Sequence, residues 1–358
     1  MKITKVIGYG LTSPLKSDFV YYGYNSNAKN IGVIEVHTDS GIIGYGETYA
    51  GVYCAELIEH SVKLIERYLI GQPVQSTNII DNIPYIGKGG LVKSIYSGVE
   101  IAIYDALSKA AKKPLWEYLG GEDIEPRLYA SNGSAKFTPK EIEEDVKQIL
   151  DLGFTSYKMR IGVQSISEDL KRLETARKYL GDNNLMVDAI MGTNPITWNY
   201  DQALKWSKDL LQFNVKWLEE PFKPEKIRLY QELNKDTKIS IAGGEALNQL
   251  WNFEDYYHTK AVDIIQPDVT NSGGIKDVIK IIDLFKPENT ALHVWGSKIA
   301  INSNYHVAKS KQVSYLEIPM MELQINDELK KTDYGIGVEV TEDIKQKYKL
   351  RIEENFKI

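Results

Sequence analysis

The chain has 358 residues, 43% of them hydrophobic, which is enough for about two domains and a large core. Its formal net charge of −6 and its mixed charge distribution exclude an electrostatic basis for nucleic-acid binding, and no apolar run approaches the roughly 18 residues of a membrane span. Cys54 is the single cysteine, which excludes an intrachain disulfide; together with an N-terminus that lacks a signal peptide's apolar core, this predicts a cytoplasmic protein.

The first 50 or so residues predict an antiparallel meander. Ile31–Thr38 and Gly41–Glu47 are strand-like and flank Asp39 and Ser40, which is a hairpin signal. The polar segment Lys16–Asn30 precedes this hairpin and is interpreted as a surface loop or a mobile lid. We expect the lid, if it covers the active site, to select the substrate through its tyrosines. These are Tyr21, Tyr22 and Tyr24.

Three helical segments follow the meander. Apolar residues recur at helical spacing in Ala55–Tyr68 and in Ser97–Lys112, and a shorter helix is predicted around Ser76–Ile83. Pro114 ends the third helix, because proline cannot continue it. One further helical turn, Leu115–Gly121, stops at a glycine pair.

From Arg127 onward, predicted strands and helices alternate. The first two strands are Arg127–Asn132 and Ser156–Gly162, separated by a helix that starts near Thr138. A functional side chain follows at the same phase of each later unit, at intervals of 23 to 31 residues, which suits one strand, one crossover helix and their loops. These residues are Lys158, Asp188, Glu219, Glu245, Asp268, His293 and Glu317. Such a repeat predicts an α/β fold, a (β/α)8 TIM-type barrel, with its site at the mouth.

The chain therefore divides into three predicted parts. Residues 1–125 form an α+β capping domain, and residues 126–325 form the catalytic barrel. Residues 326–358, which include a glycine-rich stretch and a charged tail, are expected to pack back on the capping domain and complete it.

Three acids end the third, fourth and fifth predicted barrel strands: Asp188, Glu219 and Glu245. Neighbouring parallel strands lie about 4.8 Å apart, so these carboxylates converge and would repel one another without a cation. An all-oxygen set favours Mg²⁺, with Mn²⁺ as a second option. The alternative is three separate structural salt bridges. Glu220 points away from Glu219 along the strand, and the pair alone is equally consistent with a solvated turn.

Two cations share one face of the second strand, Lys158 and Arg160. They are predicted to attract an anionic substrate, or alternatively only to neutralise Asp188. Arg160 is a poor base because its guanidinium stays protonated, whereas Lys158 would act as one if its pKa were depressed.

The last three barrel strands end in Asp268, His293 and Glu317. An aspartate on the neighbouring strand orients an imidazole and raises its basicity, so His293 is the candidate acid/base. Glu317 in a dry site is expected to be protonated and to donate a hydrogen bond to a developing oxyanion; the alternative is a salt bridge.

These motifs, from Ala102–Leu107 and Pro114–Gly121 in the cap through Lys158-Met159-Arg160 in the barrel, resemble the mandelate racemase-type branch of the enolase superfamily. The resemblance implies that Asp188, Glu219 and Glu245 bind Mg²⁺ and that Asp268 and His293 form a dyad. It also implies that Lys158 and Glu317 hold the oxygens of an enediolate, formed by removal of the proton α to a carboxylate. Loss of the β-hydroxyl then gives a 2-keto-3-deoxy acid.

Two departures from the family pattern bear on whether the reaction is racemisation or dehydration. Ile190 occupies a position where many relatives carry asparagine or a second-site histidine, and Arg160 stands where a racemase carries its second base, a lysine. A racemase needs two competent bases, so the pattern favours a dehydratase.

The leading hypothesis is a dehydratase of a small-molecule sugar acid such as gluconate, galactonate, arabinonate or xylonate. The alternatives are a racemase or epimerase of an α-hydroxy acid, and a non-catalytic sugar-acid or metal-binding barrel. No nucleic-acid or membrane partner is expected, and the family resemblance implies a homo-oligomer, an octamer among the options.

Overall fold

The structure is a computed structural model that describes residues 1–21, 24–74 and 90–351, without the side chains of residues 17–25. The predicted helix Ser76–Ile83 lies outside the described residues. So do Tyr22, the side chains of Tyr21 and Tyr24, and residues 352–358 of the tail.

An antiparallel sheet of three strands opens the chain, in the order β1 (Ile3–Tyr21), β2 (Tyr24–Thr38) and β3 (Ile43–Thr48). The predicted hairpin around Asp39 and Ser40 is present. The interpretation of Lys16–Asn30 as a surface loop is wrong for the described backbone, and its alternative interpretation as a lid stays a prediction. The ladder between β1 and β2 continues, with an irregularity after Pro14, to the pair Tyr21–Tyr24. Main-chain pairing makes the described backbone of this polar segment part of two paired strands.

The helices of the first part are α1 (Gly51–Cys54), α2 (Ile58–Leu69), α3 (Gly90–Ala110) and α4 (Leu115–Tyr118), with a 3₁₀ turn at Ala55–Leu57. Helix α3 begins before the predicted Ser97 and packs directly on β3. A Cβ built at Gly44 would lie 1.9 Å from the Ala102 carbonyl oxygen, so only glycine permits this approach. Helix α3 is therefore held against the sheet backbone.

Eight parallel strands form the second sheet, as predicted. Their order is β10-β11-β4-β5-β6-β7-β8-β9, and a bridge between Ile265 and Thr290 joins the two ends. The strands are β4 (Leu128–Ser131), β5 (Ser156–Arg160), β6 (Asn184–Asp188), β7 (Val215–Glu219), β8 (Ser240–Gly243), β9 (Ile264–Ile265), β10 (Ala291–Leu292) and β11 (Tyr315–Pro319). This is a (β/α)8 barrel with a capping domain.

A helix connects each pair of consecutive barrel strands. They are α5 (Pro139–Asp151), α6 (Ile166–Leu180), α7 (Tyr200–Asp209), α8 (Ile227–Asp236), α9 (Leu250–Thr259), α10 (Gly274–Phe285) and α11 (Lys298–Lys311). Capping boxes at Thr138, Ser165 and Asn199 satisfy backbone amides at the starts of α5, α6 and α7. The local sequence thus sets where these helices begin.

The inside of the barrel is filled below its mouth by a layer of side chains. Trp217 packs edge-on against Tyr129, with ring centroids 5.6 Å apart, and against Tyr315 at the same distance. Side chains alternate along a strand, so Glu219 points to the same interior one layer above Trp217. This aromatic layer therefore lies directly beneath the polar residues of the mouth.

After the barrel come α12 (Ile325–Glu328), β12 (Lys330–Lys331), β13 (Val338–Glu339) and α13 (Glu342–Lys347). This segment bonds to β1: the Thr12 amide donates to the Tyr348 carbonyl at 2.9 Å, and the Arg351 amide donates to Thr12 Oγ1 at 2.6 Å. One apolar cluster contains Ile31 from the first sheet, Leu316 from the barrel and Tyr348 from the tail. No helix among the described residues is long and apolar enough to span a membrane.

Candidate active site

The three predicted acidic ligands lie together at the C-terminal ends of the barrel strands. Asp188 and Glu219 are register partners at the ends of β6 and β7, and Glu245 follows β8 by two residues. Burial, and then the neighbouring Glu219 charge, raise the pKa of Asp188 to about 7, and burial also raises the pKa of Glu245. Carboxylates kept this close in a buried site favour the binding of a cation.

The acids also make hydrogen bonds within the protein. Glu219 accepts from Lys158 Nζ at 2.5 Å, from Trp217 Nε1 at 3.1 Å and from Gln266 Nε2 at 2.7 Å, while Glu245 Oε2 lies 3.2 Å from His293 Nε2. Within the described ranges, no group of three acidic, histidine or cysteine side chains is gathered tightly enough to hold a metal as it stands. The oxygen-only donor set still fits Mg²⁺, once the acids turn from Lys158 and His293.

Glu220 follows Glu219 in the chain and its side chain points to the opposite side. This side chain is not solvated. Its side chain is 3% exposed and lies against Gly192, and its φ of 44° places the backbone in the left-handed region. Burial, and then the charges of Glu245 and Asp188, raise the pKa of Glu220 well above its ordinary value. The solvated-turn alternative is therefore wrong for both acids.

Lys158 and Arg160 both face the mouth from β5. Lys158 Nζ lies between Glu219 and Glu317, at 2.5 and 2.9 Å, and 3.9 Å from Asp188. Burial alone would lower the pKa of Lys158, but Glu219 and Glu317 raise it well above its ordinary value. Lys158 is thus a cation in this arrangement, and the depressed pKa that a base would need is absent.

Arg160 is anchored by its neighbours on β4. Its guanidinium donates to the Asn132 carbonyl at 2.6 Å and to Ser131 Oγ at 3.3 Å, while its Nε is 4.0 Å from Asp188 Oδ2. That Nε is buried without a hydrogen-bond partner among the described residues. Arg160 lines the pocket at the mouth, so this unsatisfied donor belongs to the candidate site.

Asp268 and His293 are in direct contact. His293 Nδ1 donates to Asp268 Oδ2 at 2.9 Å, and the other carboxylate oxygen accepts from Thr270 and from Asn304 Nδ2 at 3.0 Å. Burial alone would lower the pKa of His293, but Glu245, Glu317 and Asp268 together raise it to about 9. The ring is oriented by Asp268 through Nδ1, which leaves Nε2 facing the acids of the mouth.

The ionisation state of Glu317 differs from the neutral acid that the sequence predicted. Burial alone would raise its pKa, but Lys158 and His293 lower it to about 2, and its Oε2 also accepts from the Val294 amide at 3.2 Å. Glu317 is therefore a carboxylate here, in the salt bridge that we gave as the alternative, and the expected neutral acid is not present. The Lys158 ammonium lies 2.9 Å from Glu317, and together with His293 it lowers the pKa of Glu317 more than burial raises it.

The pocket at the mouth is small, with a volume of about 20 Å³. Its lining is Tyr49, Lys158, Arg160, Asp188, Ile190, Glu245, His293, Trp295 and Glu317. A larger cavity of about 400 Å³ lies on the outside of the barrel beside Trp198 and Trp206, and its lining includes no predicted site residue. We place the chemistry in the smaller pocket because the converging charged groups are there.

Sequence reasoning missed three contributors from or beside the capping domain. Lys29 and Glu47 lie on the cap strands β2 and β3, and Trp295 follows His293 by two residues. Glu47 accepts hydrogen bonds from Ser297 and Ala300 at the start of α11, and Lys29 Nζ lies 4.0 Å from the centroid of the Trp295 ring. The only available signal was the polarity of Lys29 and Glu47 within otherwise strand-like segments.

Comparison with known families covers most of the chain. Residues 141–343 match the family described as enolase C-terminal domain-like, and residues 23–120 match the mandelate racemase / muconate lactonizing enzyme N-terminal domain.

Among curated relatives, arabinonate dehydratase of Saccharolobus solfataricus is 26% identical, over 92% of this chain and 93% of its own length. N-succinyl-L-Arg/Lys racemase of Bacillus cereus is also 26% identical, over 97% of each chain. A solved structure of L-talarate/galactarate dehydratase from Salmonella typhimurium LT2, liganded with Mg and L-lyxarohydroxamate, matches with a TM-score of 0.86 at 23% identity. That match covers 98% of this chain and 93% of the other.

Proposed function

Because the chain belongs to the mandelate racemase / muconate lactonizing enzyme branch of the enolase superfamily, we propose that it is a dehydratase of a sugar acid. The reaction removes the proton α to the carboxylate and then the β-hydroxyl, which leaves as water. The resulting enol becomes a 2-keto-3-deoxy acid. The names of the relatives include dehydratases of arabinonate and of talarate or galactarate, which supports this class of reaction.

We further propose that Asp188, Glu219 and Glu245 hold Mg²⁺. The buried, mutually repelling carboxylates at the ends of β6, β7 and β8 support this assignment. When bound, the ion supplies positive charge next to the substrate carboxylate, which acidifies the α-proton. It would also relieve the repulsion that now raises the pKa of Asp188.

The chain's own residues move the proton. His293 takes the α-proton at Nε2 in its neutral form, because Asp268 occupies Nδ1 and holds the ring in place. Glu245, whose charge raises the pKa of His293 in this structure, would be neutralised by the bound cation, which favours that neutral form. The same nitrogen then gives its proton to the departing β-hydroxyl. Lys158 stays cationic and binds the substrate carboxylate, together with Arg160, as negative charge develops there.

The single observation that carries the proposal is the 2.9 Å contact between His293 Nδ1 and Asp268 Oδ2 beside the metal-type acids. It supports a single oriented acid/base at His293, on a different strand end from Lys158 and Arg160. A racemase is the second candidate, favoured by the relative that racemises N-succinyl-L-Arg/Lys. Inversion needs a base on both sides of the α-carbon, and a guanidinium does not serve as one.

The test follows the α-proton by NMR in D₂O, with sugar acids screened for 2-keto-3-deoxy products. His293→Asn should lose both exchange and dehydration by about 10²–10⁴-fold. Lys158→Met should chiefly weaken binding. His60→Asn, at an exposed histidine on α2, is the matched control and should behave as wild type.

Three outcomes would contradict the proposal. Wild-type exchange in His293→Asn refutes the assigned base. Inversion of the α-carbon without loss of water replaces the dehydratase with the racemase. Binding of sugar acids with no exchange at all indicates a non-catalytic barrel.

A further inference from the structure

A buried aspartate lies on the outside of the barrel, behind one of the cations of the mouth. Asp145 belongs to α5 and does not line the pocket at the mouth. Its carboxylate accepts hydrogen bonds from Tyr157 Oη at 2.5 Å, from the Gly133 amide at 3.0 Å and from Asn132 Nδ2 at 2.6 Å. All three donors lie on β5 or on the loop after β4, and the proposed reaction gives this acid no role.

One peptide group joins Asp145 to Arg160. The Asn132 carbonyl accepts from the Arg160 guanidinium at 2.6 Å, and the N–H of the same peptide, which belongs to Gly133, donates to Asp145. The Gly133 carbonyl in turn accepts from the Arg160 amide at 2.9 Å. An acid on the N–H and a cation on the C=O polarise the peptide in the same direction, so each hydrogen bond strengthens the other.

The orientation of this peptide is not fixed by the local chain. Gly133 has a φ of 51°, and a Cβ built there would lie 2.4 Å from Met159 Cβ, so only glycine fits. Glycine has the greatest backbone freedom of all residues, so a contact outside the loop must hold the peptide in one direction. A peptide turned over would present its N–H to the guanidinium, and Arg160 would lose its acceptor.

The charges of the two side chains also act on each other. Burial raises the pKa of Asp145, and its three hydrogen-bond donors and the Arg160 charge oppose that shift. An acid that only attached α5 to the barrel would need no contact with the peptide that holds Arg160. The electrostatic coupling therefore agrees with the hydrogen-bonded path from Asp145 to the mouth.

We propose that Asp145 is a positioning residue for the reaction: it fixes the Asn132–Gly133 peptide and, through it, holds the Arg160 guanidinium in the orientation that binds the substrate carboxylate. This inference rests on the proposed function, in which Arg160 binds that carboxylate. Asp145 acts from outside the barrel, so its loss should weaken substrate binding more than it slows the transfer of the α-proton.

The first experiment examines the free protein and needs no substrate. NMR of the protein with isotope-labelled arginine observes the Arg160 Nε–H signal, which is assigned by its loss in Arg160→Lys. Asp145→Ala should shift this signal and speed the exchange of its proton with water about tenfold or more, because the guanidinium loses its fixed acceptor. Asp105→Ala is the matched control and should leave the signal unchanged, since Asp105 is also buried but accepts from the Tyr45 and Ile336 amides in the cap and the tail.

The second experiment separates binding from turnover. Calorimetry with the Mg²⁺-loaded protein uses gluconate and galactonate as probes. Asp145→Ala should weaken their binding about 5- to 20-fold, while α-proton exchange at saturating acid stays within about threefold of wild type. Asp145→Asn keeps one acceptor oxygen, so it should recover part of the lost binding, and it carries both experiments if Asp145→Ala does not fold. In an Arg160→Met background, either Asp145 variant should change binding less than about twofold, because the guanidinium is gone.

The two experiments distinguish a failure of this inference from a failure of the proposed function. If the wild-type protein binds and turns over no sugar acid, the proposed function fails, and the Arg160 signal alone still decides whether Asp145 positions that side chain. An unchanged Arg160 signal in the Asp145 variants overturns the inference. So does an equal loss of binding with and without the Arg160 guanidinium. A lower melting temperature with unchanged binding makes Asp145 a structural residue only, which also overturns it.

Discussion

At the scale of single residues, the mouth contains two neighbouring glutamates in opposite situations. Glu219 is held by Lys158, Trp217 and Gln266, whereas Glu220 faces Gly192 and has its pKa raised well above the ordinary value. One position along the chain therefore separates a candidate ligand from a buried acid whose pKa is raised.

This difference predicts the effect of neutralising each acid. Glu219→Gln and Glu245→Gln should lose Mg²⁺ and Mn²⁺ affinity by at least about tenfold, because each removes a charged ligand. Glu220→Gln is the matched control and should keep metal affinity, since its side chain lies against Gly192 and not among the candidate ligands. Calorimetric titration of the folded variants measures this. Wild-type affinity in Glu245→Gln would remove it from the ligand set.

The dyad gives a second prediction at this scale. Asp268→Asn keeps the size of the side chain but removes the charge that stabilises the imidazolium. α-Proton exchange should fall roughly 10- to 100-fold, with less change in the KM for the substrate. Exchange at the wild-type rate in D₂O would mean that Asp268 only supports the fold through Thr270 and Asn304.

At the scale of elements, a cap strand controls the start of a barrel helix. Glu47 on β3 accepts from the Ser297 amide at 3.1 Å, from Ser297 Oγ at 2.5 Å and from the Ala300 amide at 3.2 Å. These donors lie at the N-terminus of α11, where a negative charge is favourable. The loop that leads into α11 carries His293 and Trp295, so we expect Glu47 to position the proposed acid/base from the other domain.

Glu47→Gln should therefore affect stability and catalysis together. Loss of the charge-assisted bonds should cost about 1.5–3 kcal/mol in the free energy of unfolding and lower kcat/KM about tenfold. Glu35→Gln is the matched control, because Glu35 is equally buried in the cap sheet but bonds Tyr9 and His37. Denaturant unfolding and steady-state kinetics should show a stability loss in both variants and a kinetic loss only in Glu47→Gln. Equal kinetics in the two would contradict a positioning role.

At the scale of the whole molecule, His306 joins three parts of the chain. It lies on α11, its Nδ1 accepts from the Trp116 amide at 3.2 Å, and its other nitrogen bonds the Ile336 backbone in the tail. Burial lowers the pKa of His306 to about 4, so it stays neutral at pH 7.

The sign of the resulting pH dependence follows from linkage. The unfolded chain, with a histidine pKa near 6.5, binds more protons than the folded chain between pH 6.5 and pH 4. His306 therefore contributes stability above pH 6.5 that is lost as the pH falls towards 4, about 2 kcal/mol between pH 7 and pH 5. His306→Gln should remove this part of the slope in unfolding experiments, whereas His60→Gln, at an exposed site, should retain it. An unchanged slope in His306→Gln would contradict the buried neutral state.

The periodic part of the sequence determined the architecture of this protein. Strand ends at regular spacing predicted the barrel, and the acids and the Asp268–His293 pair were placed correctly because a side chain's position on a strand is a local property. The segment Lys16–Asn30 was predicted less well. Its described backbone belongs to the end of β1 and the start of β2, and the pairing of these strands depends on main-chain bonds that composition does not report.

Only the tertiary structure decided which cap residues lie beside the mouth and which groups carry charge. Lys29 and Glu47 contact Trp295 and the start of α11 because two separately coded domains pack together, and no spacing within either segment records that packing. Lys158 is a cation and Glu317 a carboxylate because they lie 2.9 Å apart, although burial alone would favour the neutral form of each. Ionisation is set by distances between groups on different strands, and these distances exist only in the folded chain.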